Sequence, residues 1–466
     1  MAISANNYWF FTAPHEPVLI RRGDPLGFRL TADYFADVLV PDLSNRSVDA
    51  RWFTILSWAL MNAGGGWRHY DERDMAVTPG RDRESARQLY EWVRPLELLW
   101  VARTLTLTGD DARRRQLPGQ RAVHRWLDES SVTDFGLSAD QRARYRQTGA
   151  YGGYRVALRR LPGLTIAGVG WQPAEAGRQL AAIVDKKIGW KTPHFDKARR
   201  RSVERDDFWL NHWEGWNEDA GNDFFPERSD HVGPLPDDEA KVARRVLFGD
   251  GEKNATAAPQ RNQLRRAQVA EILGGSTATT HAEQCEALSD GLEDMPDDQR
   301  KRLSLLPSLT RLADAGIEAM NAVWHALGDD LRVPMAELAR DVSLRNALDE
   351  LRKFASDFSG VSNAGTPGVE VAERFARSLR IRGSAAVLLS ALVEHHQLCG
   401  GGMRWFVADG GHLTRNAPAN RGARVSRYRF RLWGLARLAV QCGQIAKMPQ
   451  ALLDVNDAAV DGGDEE

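Results

Sequence analysis

Apolar residues between positions 45 and 63 recur at Trp52, Ile55, Leu56, Ala59, Leu60 and Ala63. That i, i+3, i+4, i+7, i+8 spacing puts them on one face of a helix. Ser44 or Asn45 offers a short side-chain oxygen to cap its first turn, and Gly64-Gly65-Gly66 is expected to stop it. A second helix is expected over 82–93. Pro95 lacks an N–H but suits a first turn, so it is read as opening a separate helix over 95–106. Shorter helices fit 122–127 and 139–147. The 149–184 stretch runs helix, turn, short apolar strand, then a helix opened by Pro173. That order occurs in winged-helix-like modules, and a helical hairpin with a glycine-rich loop gives the same letters. From 262 onward helix follows helix, over 262–273, 281–290, 297–305, 309–327, 334–358 and 367–396. The clearest strand signal is 403–408, then a 409–411 turn, then 412–414, which reads as a small hairpin. The expected fold is therefore mainly α and multi-helix, with a winged-helix-like segment and a small C-terminal β-hairpin.

A length of 466 residues suits about two to four domains. Composition shifts place an N-terminal helical unit over 1–248, whose 194–248 stretch is rich in tryptophan and acids. A small, polar linker is read over 249–262, a C-terminal helical unit over 263–453 and an acidic tail over 454–466. With 42% hydrophobic and 27% charged residues, the chain has material for cores and is not a disordered polymer. Fifteen tryptophans suggest anchors for several small cores, since each buried indole N–H needs a partner. Cys285, Cys399 and Cys442 do not make a disulfide framework and suit a reducing compartment. The N-terminal residues lack the basic-then-apolar pattern of a signal peptide, and no 18-residue apolar run occurs. A cytoplasmic location and no membrane partner are the expectation.

Charge changes the picture locally. The net charge is −1, so attraction to an anion must come from a patch rather than a global field. Between Arg404 and Lys447 stand eight arginines and one lysine against a single acid, Asp409. Aromatics interleave with them at Trp405, Phe406, Tyr428, Phe430 and Trp433. In RYRFRLW, Arg427, Arg429 and Arg431 alternate with Tyr428, Phe430 and Leu432. A strand would turn the guanidinium groups to one side. A helix would instead align Arg429, Trp433 and Arg437 in one stripe. Either arrangement offers guanidinium groups to phosphates and aromatic rings to bases. The candidate nucleic-acid contacts are Arg415, Arg421, Arg424, Arg427, Arg429, Arg431 and Arg437, with Tyr428 and Trp433 as stacking residues. The plainer reading is a solvated arginine face paired with acids elsewhere, the chain's own tail included.

Two other constellations bear on chemistry. His281 and Cys285 are i, i+4, and His395 or His396 precedes Cys399 by four or three residues, a ligand set suited to tetrahedral zinc. The pairs lie over a hundred residues apart without a CxxC, so core cysteines and helix-end histidines explain them better, and no metal or cofactor is expected. The acids Glu204, Asp206, Asp207, Glu214, Glu218, Asp219 and Asp223 precede Asp237, Glu239 and Lys241, which spell D-x-E-x-K. In metal-dependent nucleases E-x-K sits on a strand. Here it falls on an expected helix start, where acids suit the positive dipole end. No phosphate loop, GxSxG or HExxH is present.

Phe35-Ala36-Asp37-Val38-Leu39-Val40-Pro41, then Ala50-Arg51-Trp52-Phe53 and Ser57-Trp58, resembles the opening of a bacterial domain-of-unknown-function family. Residues 145–160 and Arg429-Phe430-Arg431-Leu432 are compatible with it. The likeness covers about a quarter of the chain, and Val40-Pro41-Asp42 stands where that family has Phe-Pro-Gly. It implies a mainly helical cytoplasmic protein encoded near helicases and nucleases in defence-type islands. The leading functional reading is a non-catalytic, nucleic-acid-associated component of a DNA-handling or anti-phage defence system, with DNA favoured over RNA. Its protein partners would be a helicase, a nuclease or another defence protein. The alternatives are a protein–protein scaffold using tryptophan-rich 205–225, and a metal-dependent nuclease.

Overall fold

A computed structural model describes residues 24–66, 83–108, 117, 120, 123–124, 145, 149–166, 172–188, 234–250, 257–292, 295–328, 332–359, 365–399, 405–415 and 427–453. In chain order the helices begin with α1 (Arg29–Leu39), α2 (Arg51–Gly66), α3 (Arg83–Thr108), α4 (Ala150–Arg160) and α5 (Glu175–Ile188). Next come α6 (Asp237–Phe248), α7 (Ala258–Gly275), α8 (His281–Gly291), α9 (Asp297–Leu303) and α10 (Leu306–Leu327). Strand β1 (Arg332–Pro334) precedes α11 (Met335–Leu338), α12 (Val342–Asp357), α13 (Val369–Leu379) and α14 (Ala385–Cys399). The hairpin of β2 (Phe406–Asp409) and β3 (His412–Arg415) leads to α15 (Leu432–Gln441) and α16 (Gln450–Leu453). The fold is mainly α.

The described residues form two compact units. Unit 1 takes 24–35 and 281–428, and unit 2 takes 36–280 and 429–453, so one division falls within α1. The division expected at 249–262 instead lies inside unit 2, where α7 packs back on α6. Arg266 explains this. Its side chain is fully buried and donates Nε to Leu247 O at 2.8 Å and Nη1 to Pro41 O at 3.0 Å. The same Nη1 lies 3.1 Å from Asp42 Oδ2. A buried guanidinium bonded through Nε and Nη1 holds three chain segments together, and breaking such a pair costs about 3–5 kcal/mol.

In unit 2, α2 packs against α3 and α5. Its fully buried Trp58 donates Nε1 to Asp185 Oδ1 at 3.0 Å, as a buried indole requires. The helix begins at Arg51 rather than near 45, because residues 44–49 serve other bonds. Ser44 Oγ donates to Gly153 O at 2.6 Å, and Asp49 accepts from Arg51 N at 3.0 Å. At the other end the three glycines are its last residues, where intrahelical constraint is weakest. Pro95 does not separate two helices: α3 is continuous through it. Apolar burial on both sides, at Trp92, Val93, Leu96, Leu98, Leu99 and Trp100, offsets the missing hydrogen bond. The strand expected after α4 reduces to one antiparallel bridge, Thr165 to Pro173, between α4 and α5. The shorter helices expected at 122–127 and 139–147, the acid-rich 194–233 and the tail 454–466 lie wholly or largely outside the described residues.

Two buried polar groups tie α4 into unit 2. The Tyr154 hydroxyl accepts from Val48 N at 3.2 Å and Asp49 N at 2.8 Å, and donates to Asp49 O at 2.9 Å. Glu97 Oε1 accepts from Tyr151 N at 3.0 Å, in the first turn of α4. Burial nevertheless dominates and pushes the Glu97 carboxyl up to about 8, against the Tyr151 hydrogen bond that pulls it down.

Unit 1 is organised on α10, which packs against α8 and α12. The helix expected over 334–358 divides, because Asp341 caps α12 by accepting from Leu344 N at 2.8 Å. The 367–396 run divides after Leu379, where Arg380 leaves the helix and donates Nε to Ala355 O at 2.9 Å. The hairpin forms as expected, with Phe406 opposite Arg415 and Ala408 opposite Leu413. Its outer side is taken by β1, whose Val333 faces Leu413, which makes a three-stranded antiparallel sheet ordered β1-β3-β2. A three-residue strand containing proline gave no period-2 signal.

Glu97→Gln tests the buried carboxyl. A folded-state value raised from about 4.5 to about 8 contributes stability that is fully present below about pH 4.5 and lost as pH rises through about 8. The loss approaches about 1.4 kcal/mol per pH unit inside that window. The glutamine keeps the acceptor for Tyr151, so its urea midpoint should be flatter than wild type between pH 5 and 8, and equal curves would refute the assignment. Tyr154→Phe strips the hydroxyl from two buried amides and a carbonyl and should lower stability by about 1–3 kcal/mol, read from the urea midpoint of tryptophan fluorescence.

Candidate anion-binding site on α15

The RYRFRLW segment is not a strand. Phe430 and Arg431 take φ of +48° and +61°, a left-handed pair that turns the chain directly into α15 at Leu432. Side chains rarely adopt this region, and each such residue costs about 1 kcal/mol or more. Burial secures the turn: Phe430 is 4% exposed, and Leu432, Leu435, Ala436, Leu438 and Ala439 are fully buried along α15.

This turn produces the i, i+4, i+8 stripe. Arg429 Cζ lies 5.7 Å and Arg437 Cζ 5.5 Å from the centroid of the Trp433 ring. Both distances are within cation–π range, so the indole holds two guanidinium groups. Their surroundings differ. Arg437 Nη2 is 3.7 Å from Asp49 Oδ2, which balances part of its charge. Arg429 has no carboxylate within ion-pair distance among the described residues, and its Nη2 is buried without a hydrogen-bond partner. Burial lowers its pKa from the usual arginine range, and no described acid opposes that shift. A desolvated guanidinium without a counter-charge favours an anion, which would supply the missing hydrogen bonds.

The remaining expected contacts fall elsewhere. Arg431 pairs with Asp37 Oδ1 at 2.5 Å through Nη1, which also reaches Val40 O at 3.4 Å, so it is engaged within unit 2. Tyr428 belongs to unit 1. Its hydroxyl donates to Asp24 Oδ1, and its ring stacks on Phe28 with centroids 6.0 Å apart. Burial, with Asp24 beside it, raises its phenol well above the usual range. Both ring and hydroxyl are committed, so Tyr428 leaves the stacking set. Trp433 likewise serves to hold arginines rather than to present an open face to a base. Arg427 is half-buried in unit 1, and the backbone of Arg415 pairs with Phe406. Arg421 and Arg424 lie outside the described residues.

The histidines and cysteines weighed for zinc have other roles. His281 Nδ1 is 3.3 Å from Asp314 Oδ2. Burial opposes charge on this imidazole, but Cys285 and Asp314 outweigh it and bring His281 up to about 10. His395 Nε2 donates to Leu26 O at 2.8 Å. His396 Nδ1 donates to Pro25 O at 3.0 Å, while its Nε2 accepts from Trp405 N at 2.8 Å. No group of three metal-ligating side chains converges among the described residues. In the D-x-E-x-K stretch, Glu239 is fully buried at the start of α6. It accepts from Thr54 Oγ1 at 2.7 Å and pairs with Arg51 Nε at 2.8 Å, while Lys241 is exposed. The acids of 204–223 are outside the described residues.

No family model matches the chain, and neither a curated protein nor a solved structure matches it. No helix among the described residues is long and apolar enough to cross a membrane.

Arg431→Gly separates backbone from charge at this turn. Glycine relieves the φ of +61°, and the lost pair has a partner, Asp37, that is 69% exposed. Relief of the left-handed φ is worth about 1 kcal/mol or more and the exposed pair about 1 kcal/mol or less, and the two oppose one another. The urea midpoint should therefore move by less than about 1 kcal/mol. A loss above about 2 kcal/mol would show that Arg431 anchors the turn through its side chain.

Proposed function

We propose that the protein is a non-catalytic nucleic-acid-associated component of a bacterial DNA-handling or anti-phage defence system, and that Arg429, just before α15, and Arg437, on α15, contact backbone phosphates. One observation carries this reading: Arg429 is a desolvated guanidinium held on Trp433 without a carboxylate among the described residues. A structural arginine normally finds an acid or a set of carbonyls, as Arg266 and Arg431 do in the same unit. Phosphate diesters suit the geometry better than a protein carboxylate because a strand supplies successive anions to neighbouring guanidinium groups. Sequence specificity is not part of the reading, since Trp433 is occupied by its own arginines. The defence setting and the helicase or nuclease partner rest on the resemblance of residues 35–58, and a mainly α fold agrees with it.

Salt titration of binding to labelled single- and double-stranded DNA tests the site, with Mg²⁺ present and absent. Each phosphate contact contributes roughly −0.9 to the log–log slope on duplex and roughly −0.7 on single strands. Replacing Arg429 and Arg437 together by alanine should flatten the duplex slope by about 0.9 to 1.8, the smaller figure applying if Asp49 keeps Arg437 occupied. An unchanged slope, or no binding by the wild type at low salt, defeats the reading. Cleavage that requires Mg²⁺ would show that the protein is not a passive binder.

A further inference from the structure

We propose that unit 2 contains a second, separate ligand site, a pocket for a nucleoside monophosphate built between α5, α6 and α7. The cavity has a volume of about 440 Å³, within the roughly 300–1,000 Å³ typical of small-ligand clefts. The last turn of α6 and the first turns of α7 line most of it, and the 162–163 turn and the start of α5 close the other side. Gly249, at φ +77°, makes the left-handed turn after α6 that opens this space.

The lining is selective in charge. The carbonyls at the end of α6 would ordinarily attract a cation, but they are already used. Gln263 Nε2 donates to Arg245 O at 2.9 Å and Val246 O at 3.0 Å, and Arg266 takes Leu247 O. The first turns of α5 and α7 border the cavity, and Arg245, in the last turn of α6, lines it as well. Arg245 makes one side-chain bond, Nη2 to Gln179 Oε1 at 2.6 Å, and has no carboxylate within ion-pair distance among the described residues. Two acids also border the cavity. Glu175 is bonded by Arg178 at 2.7 Å and Gln179 at 2.9 Å, and those bonds, with a smaller contribution from the charge of Arg245, lower its pKa. Asp250 stands exposed at the rim. The remaining donors of Arg245 are thus available to an anionic head.

The neighbouring wall supplies hydrogen-bonding complementarity to a planar heterocycle. Gln260 uses its Oε1 to accept from Ala257 N at 3.3 Å, which leaves its NH₂ as a donor. Gln263 uses its Nε2 on α6, which leaves its Oε1 as an acceptor. The two residues are i, i+3 on one face of α7, so a donor and an acceptor stand side by side. Such a pair matches the donor–acceptor edge of a nucleobase. Val246, Phe248 and Leu264 give the apolar surface against which a ring can lie. An anionic head, a heterocycle with a mixed edge and this volume together describe a nucleoside monophosphate.

Calorimetry and thermal shift with AMP, GMP, CMP, UMP, ribose 5-phosphate and inorganic phosphate on the full chain test the proposal. At least one nucleotide should bind and raise the melting temperature, and ribose 5-phosphate should bind more weakly. Arg245→Ala should weaken that nucleotide by about tenfold or more, the usual effect of losing a charge-assisted hydrogen bond. Leu264→Trp fills the cavity and should abolish binding while the melting temperature without ligand stays close to wild type. The proposal is overturned if no nucleotide binds at millimolar concentration. It is equally overturned if ribose 5-phosphate binds as tightly as every nucleotide, or if a folded Leu264→Trp variant binds like wild type. Arg245→Ala should leave the salt slope for DNA unchanged, and the Arg429/Arg437 double variant should leave mononucleotide binding unchanged, so failure at one site is distinguishable from failure at the other.

Discussion

Asp49 is the junction on which the organisation of unit 2 depends. Its carboxylate accepts from Arg51 N, which starts α2, and from Gln441 Nε2 at 3.2 Å, which fixes the end of α15. Its backbone N–H and carbonyl are both taken by the Tyr154 hydroxyl from α4. The same Gln441 accepts from Ala50 N at 2.8 Å, so the bond pattern closes on itself across residues nearly four hundred positions apart. Partly buried donors and acceptors that bond one another strengthen each other and disfavour alternative packings. Hydrophobic burial along α2 and α15 supplies most of the stabilisation but is tolerant of small shifts. The Asp49 network is not, and it sets the register of α15 against the N-terminus of α2.

That register determines the electrostatics of the arginines on α15. With Asp49 placed at the start of α2, its second carboxylate oxygen meets Arg437, four residues beyond Trp433. Arg429 lies at the other end of the stripe, before the left-handed Phe430–Arg431 turn, and no described acid reaches it. A single indole therefore holds one compensated and one uncompensated cation. The asymmetry leaves Arg429 without the carboxylate that Arg437 has, although the two share the same chemistry.

Legibility in the sequence followed the range of the governing interaction. The Trp433–Arg437 pair on α15 was readable because i, i+4 spacing is local, and so was the β2–β3 hairpin, whose Asp409-Gly410-Gly411 turn is written in three residues; Arg429 reaches the same indole through the left-handed turn instead. The continuity of α3 through Pro95 was not readable, because long-range burial outweighs a local breaker. The same holds for β1, which exists because β3 offers it a partner eighty residues away. Asp42 is the most instructive case. It adopts φ +67°, the region glycine favours. Arg266 and Asn262 bond its carboxylate at 3.1 and 2.8 Å. An aspartate is tolerated at that turn because two side chains over two hundred residues away compensate for the strain.

The arginine-rich composition misled in one respect, and the physical reason bears on how such blocks are read. A guanidinium has five donors and a high desolvation penalty, so any arginine drawn into a core is compelled to find oxygen atoms. Arg266 and Arg431 each do so through carbonyls or carboxylates, and they act as connectors rather than as binding groups. Density of arginine in the sequence measures neither outcome. What distinguishes a binding arginine is the balance after folding, when a partly buried guanidinium has been supported by an aromatic ring but its donors have not been answered. Of the two arginines flanking Phe430, Arg431 pairs through Nη1 with Asp37 and Arg429 has no carboxylate within ion-pair distance among the described residues, although only two residues separate them. The left-handed turn at Phe430 and Arg431 is the cause, because it directs one side chain inward to Asp37 and Val40 and leaves the other on the indole.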